Sequence, residues 1–217
     1  MGKKLIEMVC TGNRGRSPVA ELIARNRIIE IGASDVYDSI SSGTNVAYTD
    51  KVMAGEIIPS QEMISAIISM GRANNVYTSE QLEEIDSSLR DGEQDDLIKY
   101  FIQTSQRLMD DEESYRAEVL TQFGIDGDVK PTRDQTIARP DTLIVLAMDK
   151  KNLQVINRIY QEERYSPIID TLSNYATGVP DSQVLNAFGK GKDIYRDMVR
   201  QLIREVPIAV DKLVEEL

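Results

Sequence analysis

The chain has no histidine at all among its 217 residues. Histidine-based metal sites, Ser-His-Asp triads and Cys-His pairs are therefore excluded, and any proton donor has to be Asp, Glu, Lys, Tyr or water. Cysteine occurs once, at Cys10. That rules out an internal disulfide and suits a reducing compartment, so a cytoplasmic protein is expected. Basic side chains are in deficit, with 25 Lys+Arg against 36 Asp+Glu and a net charge of −11. Sequence-independent nucleic-acid binding needs a basic face, so no nucleic-acid partner is expected. No apolar run approaches the roughly 18 residues of a membrane span, and Met1-Gly2-Lys3-Lys4-Leu5 shows no signal-peptide core. Neither a membrane partner nor a metal or other cofactor is expected.

What remains is ordinary for a globular protein: 41% hydrophobic and 28% charged residues. The apolar run 4–9 (KLIEMV) reads as a buried strand. Ser17-Pro18 has the form of a helix N-cap and first turn, and the helical pattern runs from there to Gly32. Val36 to Ile40, Thr142 to Ala147 and Pro167 to Leu172 read as further strands, the second of them central. Lys151 to Tyr160 and Asp193 to Leu217 read as covering helices. Strands alternating with helices predict an α/β fold, a four-stranded parallel sheet flanked by helices.

Between the first strand and the first helix stands Cys10-Thr11-Gly12-Asn13-Arg14-Gly15-Arg16-Ser17. A loop of this kind can aim backbone N–H groups inward at an anion, and the helix N-terminus adds positive potential. The same potential, with Arg16 nearby, favours the thiolate, which is the nucleophilic form of cysteine. The arrangement suits in-line attack by Cys10 on phosphorus to form a cysteinyl-phosphate. The amides of Thr11, Gly12, Asn13, Arg14, Gly15 and Arg16 and the planar Arg16 guanidinium would hold the equatorial oxygens. Ser17 Oγ can donate to the Cys10 sulfur, or simply cap the helix. Asn13 suits the loop's strained backbone, because Asn tolerates positive φ. Alternatively, Cys10 is an inert buried thiol closing a strand.

Val9 through Glu21 (VCTGNRGRSPVAE) resembles the signature of the low-molecular-weight protein tyrosine phosphatases and their arsenate-reductase relatives. Three further segments match in order: Ser41-Ser42-Gly43-Thr44, Ala147-Met148-Asp149 with Asn152, and Val179-Pro180-Asp181. The resemblance implies catalytic roles for Cys10, Arg16, Ser17 and Asp181, with Asp181 as general acid and then base. It also implies a loop-supporting contact between Asn13 and Ser41. Several departures stand out. Ser182-Gln183-Val184 replaces the proline and aromatic pair that follow the family acid, so Tyr175 or Phe188 would have to supply the aromatic wall. Gly15 replaces a second loop cysteine, and Lys130 lies near a frequent histidine position. Arg14 is an extra loop cation that points either to the rim, favouring doubly anionic substrates, or to solvent. Asp149 and Asp170 are weaker acid candidates, with Asp149 better read as a helix N-cap.

Residues 50–122 break the α/β rhythm. Ile64, Ile67 and Ile68 form one helical face, Leu82, Ile85 and Leu89 a second, and Leu97, Ile98, Phe101, Ile102, Leu108 and Met109 a third. This segment holds 16 acidic and 6 basic residues, so nearly all of the net charge sits in it. The division expected is a phosphatase-like α/β domain of 1–49 plus 123–217 with an acidic, all-helical insertion at 50–122. The insertion is either a solvated cap or a lid or protein-partner face that repels anions. The leading functional reading is a cysteine-dependent phosphatase acting on a phosphorylated protein, phosphotyrosine by resemblance, or on a small phosphomonoester. Two alternatives stay open: an arsenate reductase drawing on an external thiol, and a non-catalytic module that binds phosphate or a phosphoprotein.

Overall fold

The computed structural model describes residues 2–125, 127, 129, 131–163 and 165–216, so Lys130 lies outside the described residues. The first apolar run becomes β1 (Lys4–Cys10) and is buried toward both faces of the sheet, as a central parallel strand must be. Three more strands join it: β2 (Tyr37–Gly43), β3 (Thr142–Ala147) and β4 (Ile168–Thr171). The order is β2-β1-β3-β4 and every pairing is parallel. The four-stranded parallel α/β architecture expected from the sequence is present.

The strands differ from the hydrophobic pattern at their ends. β2 continues past Ile40 through Ser41 and Ser42 to Gly43, pairing Met8 with Ser41 and Cys10 with Gly43. Apolar patterning could not show this, because these serines are held by hydrogen bonds instead. Ser42 Oγ donates to Glu7 at 2.6 Å and Ser41 Oγ to Glu21 at 2.7 Å. β4 stops at Thr171, whose hydroxyl accepts from Asn174 N and starts the short helix α7.

In chain order the helices are α1 (Arg16–Glu30), α2 (Val46–Met53), α3 (Gln61–Ala73), α4 (Ser79–Asp91), α5 (Gln94–Gln122), α6 (Lys150–Gln161), α7 (Leu172–Thr177) and α8 (Gly191–Glu216). On one face of the sheet, Ile6, Met8, Ile144 and Leu146 pack with α1, α8 and the C-terminal part of α5. On the other, Val9, Val145 and Ala147 meet Ile156 and Tyr160 of α6. β1 is flanked by β2 on one side and β3 on the other, so the strand order reverses at its carboxyl end. That is where open α/β sheets bind ligands.

No described residue of 50–122 is in a strand. Its helices share a core of Val52, Ile64, Ile68, Ile85, Leu97, Tyr100 and Phe101. Leu89, expected on an apolar face, is instead exposed. Ser60 and Thr78 cap α3 and α4, the latter through a full capping box with Gln81. α5, about 44 Å long at 1.5 Å per residue, joins both cores. Leu97 and Phe101 lie in the core shared by these helices, whereas Val119 and Leu120 lie in the one beneath the sheet.

Candidate active site

The Cys10–Ser17 segment leaves the carboxyl end of β1 and enters α1, and the end of β2 braces it. Thr44 N donates to Cys10 O and Asn45 N to Thr11 O, both at 2.9 Å. This close approach requires Gly43: a methyl there would lie 2.8 Å from Asn13 N and from Thr11 O. Asn13 is fully buried with φ of 47°, in the left-handed region where Asn is tolerated. Its Oδ1 lies 3.4 Å from Ser41 Oγ, which makes its shorter bond to Glu21.

α1 starts at Arg16 with Gly15 as its N-cap residue, and no side chain caps it. Ser17 is therefore further into the first turn than the Ser-Pro pattern suggested, and its hydroxyl is used elsewhere. It donates to Cys10 Sγ at 3.0 Å and also lies 3.2 Å from Ser42 O. Arg16 is buried, and its guanidinium donates to Asp149 Oδ2 at 2.8 Å. Asp149 Oδ1 accepts from Asn152 N, so the same carboxylate caps α6 and anchors Arg16. With its amide oxygen toward Thr11 and Thr44 and its nitrogen toward Asp149, Asn152 ties the third strand's end to the loop.

A cavity of about 450 Å³ opens over the loop and is lined by Cys10, Thr11, Gly12, Arg14, Gly15 and Arg16. Arg14 thus lines the cavity and does not simply point to solvent. Its Nε is buried without a partner, and burial holds its guanidinium below the ordinary arginine value. Phe188 lines the cavity and provides an aromatic wall, whereas Tyr175 is buried in the main core.

Asp181 is not brought to this site. It lies outside the cavity lining, with φ of 65°, a side chain 77% exposed and its carboxylate on Lys150 Nζ at 2.6 Å. The stretch after Pro180 runs on before returning, and it places Asn186, Ala187 and Phe188 on the cavity instead. An amide there cannot deliver a proton as a carboxylic acid does. Asp170 is also elsewhere, accepting from Asn174 Nδ2 at 2.8 Å.

Among the cavity residues that escaped the sequence reading are Glu112 and Arg116 of α5, Arg133, and Asn186. Glu112 is 6% exposed and Arg116 7%. Their side chains approach to 3.8 Å, and Arg116 Nε has no partner. Burial pushes the Glu112 carboxyl above the usual carboxylate range, against the pull of Arg116, Arg16 and Arg14. A signal did exist: Leu108, Glu112, Arg116 and Val119 follow one helical stripe, so two charges interrupt an apolar face. Arg133, at φ of 60°, bonds to Gly12 O and Asp50 from the segment before β3. Among the described residues no cluster of His, Cys, Asp and Glu could hold a metal, and no helix is long and apolar enough to cross a membrane.

No family model and no curated protein matches this chain. Solved structures do. A low-molecular-weight phosphotyrosine phosphatase from Vibrio cholerae O395 aligns with a TM-score of 0.56 at 16% identity, covering 98% of each chain. A low-molecular-weight protein tyrosine phosphatase from T. tengcongensis gives 0.53 at 19%, covering 99% of this chain and 100% of that one. The YwlE arginine phosphatase from Geobacillus stearothermophilus gives 0.53 at 17%, covering 98% and 94% respectively. The chain has the fold of the low-molecular-weight protein tyrosine phosphatases.

Proposed function

We propose that this protein is a cysteine-dependent phosphatase that hydrolyses phosphate monoesters through a phosphorylated Cys10. The observation that carries the reading is the arrangement at the loop. The Cys10 sulfur accepts from Ser17 Oγ at 3.0 Å, and Arg16 is fixed by Asp149 at 2.8 Å, at the mouth of the α1 N-terminus. A thiolate there attacks phosphorus while the loop amides and Arg16 hold the oxygens that gain charge in the transition state. Ser17 stabilises the sulfur as nucleophile and again as leaving group. Asn13, Ser41 and Asn152 hold the loop in shape, so little reorganisation is needed when an oxyanion arrives.

The substrate class that best suits the cavity is an aryl phosphate, phosphotyrosine or a small analogue, with Phe188 beside the ring. α5 contributes Met109, Glu112, Glu113 and Arg116 to the cavity wall, which supports the insertion as a lid over the site more than as a passive cap. The test is hydrolysis of 4-nitrophenyl phosphate by wild type and Cys10→Ser, with rapid acid quench to trap phosphocysteine. Turnover with phosphate on Cys10 is expected in the wild type and neither in the variant. Activity surviving Cys10→Ser would overturn the reading. A second reading, a module that binds phosphate without turnover, draws on the position of Asp181 outside the cavity. It predicts tight oxyanion binding and no phosphocysteine.

A further inference from the structure

The phosphatase reading leaves a gap in proton supply. Expelling an alkoxide or phenolate requires a proton on the leaving oxygen unless that oxygen is very acidic. The sequence offers Asp181, but its carboxylate is in solvent on Lys150. Asn186, which lines the cavity, has no acidic proton to give. Among the described residues, the carboxyl groups on the cavity are Glu112 and Glu113, both from α5. Glu113 is exposed and Glu112 is buried.

Glu112 is fitted to the loop itself. A Cβ built on Gly15 would overlap its Oε1 and stand 3.4 Å from its Cδ. The missing side chain at Gly15, one residue before Arg16, is the space that the carboxyl group enters. The charged groups that face it are Arg116 on its own helix and Arg14 and Arg16 on the loop, with the phenols of Tyr115 and Tyr195 nearby. Burial holds both phenols in their neutral form, so they add no negative charge, and the charges acting on Glu112 are those of the three arginines.

We propose that Glu112, delivered by α5, is the proton donor of the first step and the base of the second. This rests on the phosphatase reading. As the S–P bond to Cys10 forms and the P–O bond breaks, the electron pair goes to the leaving oxygen. That oxygen takes the Glu112 proton, giving the free alcohol or phenol and a Glu112 carboxylate. Water then loses a proton to this carboxylate while its oxygen bonds to phosphorus. The S–P pair returns to sulfur, phosphate leaves, and Glu112 is again protonated. Burial favours the protonated acid at the start, and Arg116 and Arg16 stabilise the carboxylate between the steps. The insertion then supplies part of the chemistry and is more than a covering.

The experiment compares wild type, Glu112→Gln, Glu113→Gln and Asp181→Asn on 2,4-dinitrophenyl phosphate and phenyl phosphate, over a range of pH. The dinitrophenolate leaves without a proton, whereas phenolate needs one. Glu112→Gln is expected to slow phenyl phosphate by about 100-fold or more, the usual scale of a general acid. On kcat/KM, which covers only the steps up to phosphocysteine, it should change the dinitrophenyl ester by only a few-fold and remove the fall at higher pH; kcat falls for both esters, because breakdown of their common phosphocysteine loses its base. An equal loss of kcat/KM on both esters would make Glu112 structural and overturn the proposal. A faster Glu112→Gln enzyme would make it an obstructing anion and overturn the proposal as well. So would the leaving-group effect appearing in Asp181→Asn or Glu113→Gln instead. If Glu112→Gln does not fold, Glu112→Asp, which keeps the acid but shortens its reach, is compared in the same way: a loss of kcat/KM confined to the phenyl ester supports the proposal, and an equal loss on both esters overturns it. No phosphocysteine from either ester in the wild type would sink the phosphatase reading itself, a result distinct from any of these.

Discussion

Gly15→Ala is the most demanding probe of how α5 meets the loop. Gly15 sits at φ −107° and ψ −85°, outside the left-handed region, so the backbone exacts no positive-φ penalty, and whatever backbone cost alanine meets there is common to both Glu112 backgrounds. The cost comes from Glu112, whose Oε1 occupies the place of the new methyl and whose Cδ lies at 3.4 Å. Restoring ordinary separation requires the carboxyl to retreat by on the order of 1 Å. It has little room, being 6% exposed and beside Arg116 and the fully buried Tyr195. Overpacking of this kind costs about 1–3 kcal/mol, or roughly 2–4 °C in melting temperature per kcal/mol for a chain of this size. Alanine also stiffens the unfolded chain by about 0.4–1 kcal/mol, a gain that is the same in every background and cancels in a cycle. Urea melts of wild type, Gly15→Ala, Glu112→Ala and the double variant should therefore give a coupling of about 1–3 kcal/mol. In the Glu112→Ala background the methyl should be nearly neutral. An equal cost for Gly15→Ala in both backgrounds would refute the idea that Glu112 fills the space over Gly15.

Two further substitutions test the surroundings. Ser17→Ala removes the donor 3.0 Å from the Cys10 sulfur. Hydrogen bonds to charged groups are worth about 1.5–3 kcal/mol, so phosphocysteine should break down roughly 10- to 100-fold more slowly and accumulate in the quench; unchanged breakdown would remove Ser17 from the chemistry. Glu7, fully buried in β1, has its carboxyl pushed above the usual range by burial, opposed by the hydroxyl of Ser42. A folded-state value above the unfolded one means that the folded protein holds its proton to higher pH. The stability this contributes is complete below the ordinary carboxylate range and is lost as pH rises through the raised value. Glu7→Gln should flatten that decline in urea melts as pH rises through and above the ordinary carboxylate range, and a slope equal to that of the wild type would contradict the assignment.

Much of the loop was legible because its chemistry is local. Cys10, the glycine-bearing turn and Arg16 lie within seven residues, and a strand before with a helix after is enough to aim them together. Ser41, expected from resemblance to support the loop with Asn13, lies 3.4 Å from it, and Asn152, read only as part of the matched third-strand segment, also reaches the loop. Ser17 shows the limit of local pattern: the Ser-Pro signal for a cap is genuine, but two tertiary acceptors, the Cys10 sulfur and Ser42 O, hold the hydroxyl instead. Asp181 shows it more sharply. Val-Pro-Asp matches the expected motif, yet the path of the residues that follow determines which side chains return to the cavity, and those are Asn186 and Phe188.

Residue order by itself determined the sheet, because apolar runs separated by helical periods can satisfy their backbone groups and bury both faces in few other ways. It also determined the loop between β1 and α1, whose thiol, glycines and arginine are neighbours in sequence. Only the tertiary structure decided what stands opposite that loop. Glu112 and Arg116 lie far from Gly15 in sequence, and α5 brings them over it because its far end is fixed in the main core by Val119 and Leu120. Their charges read as surface residues until the packing of that one helix turns them inward. The lack of histidine set the question of where a proton comes from, and a buried carboxyl placed by long-range packing is the answer the structure supports.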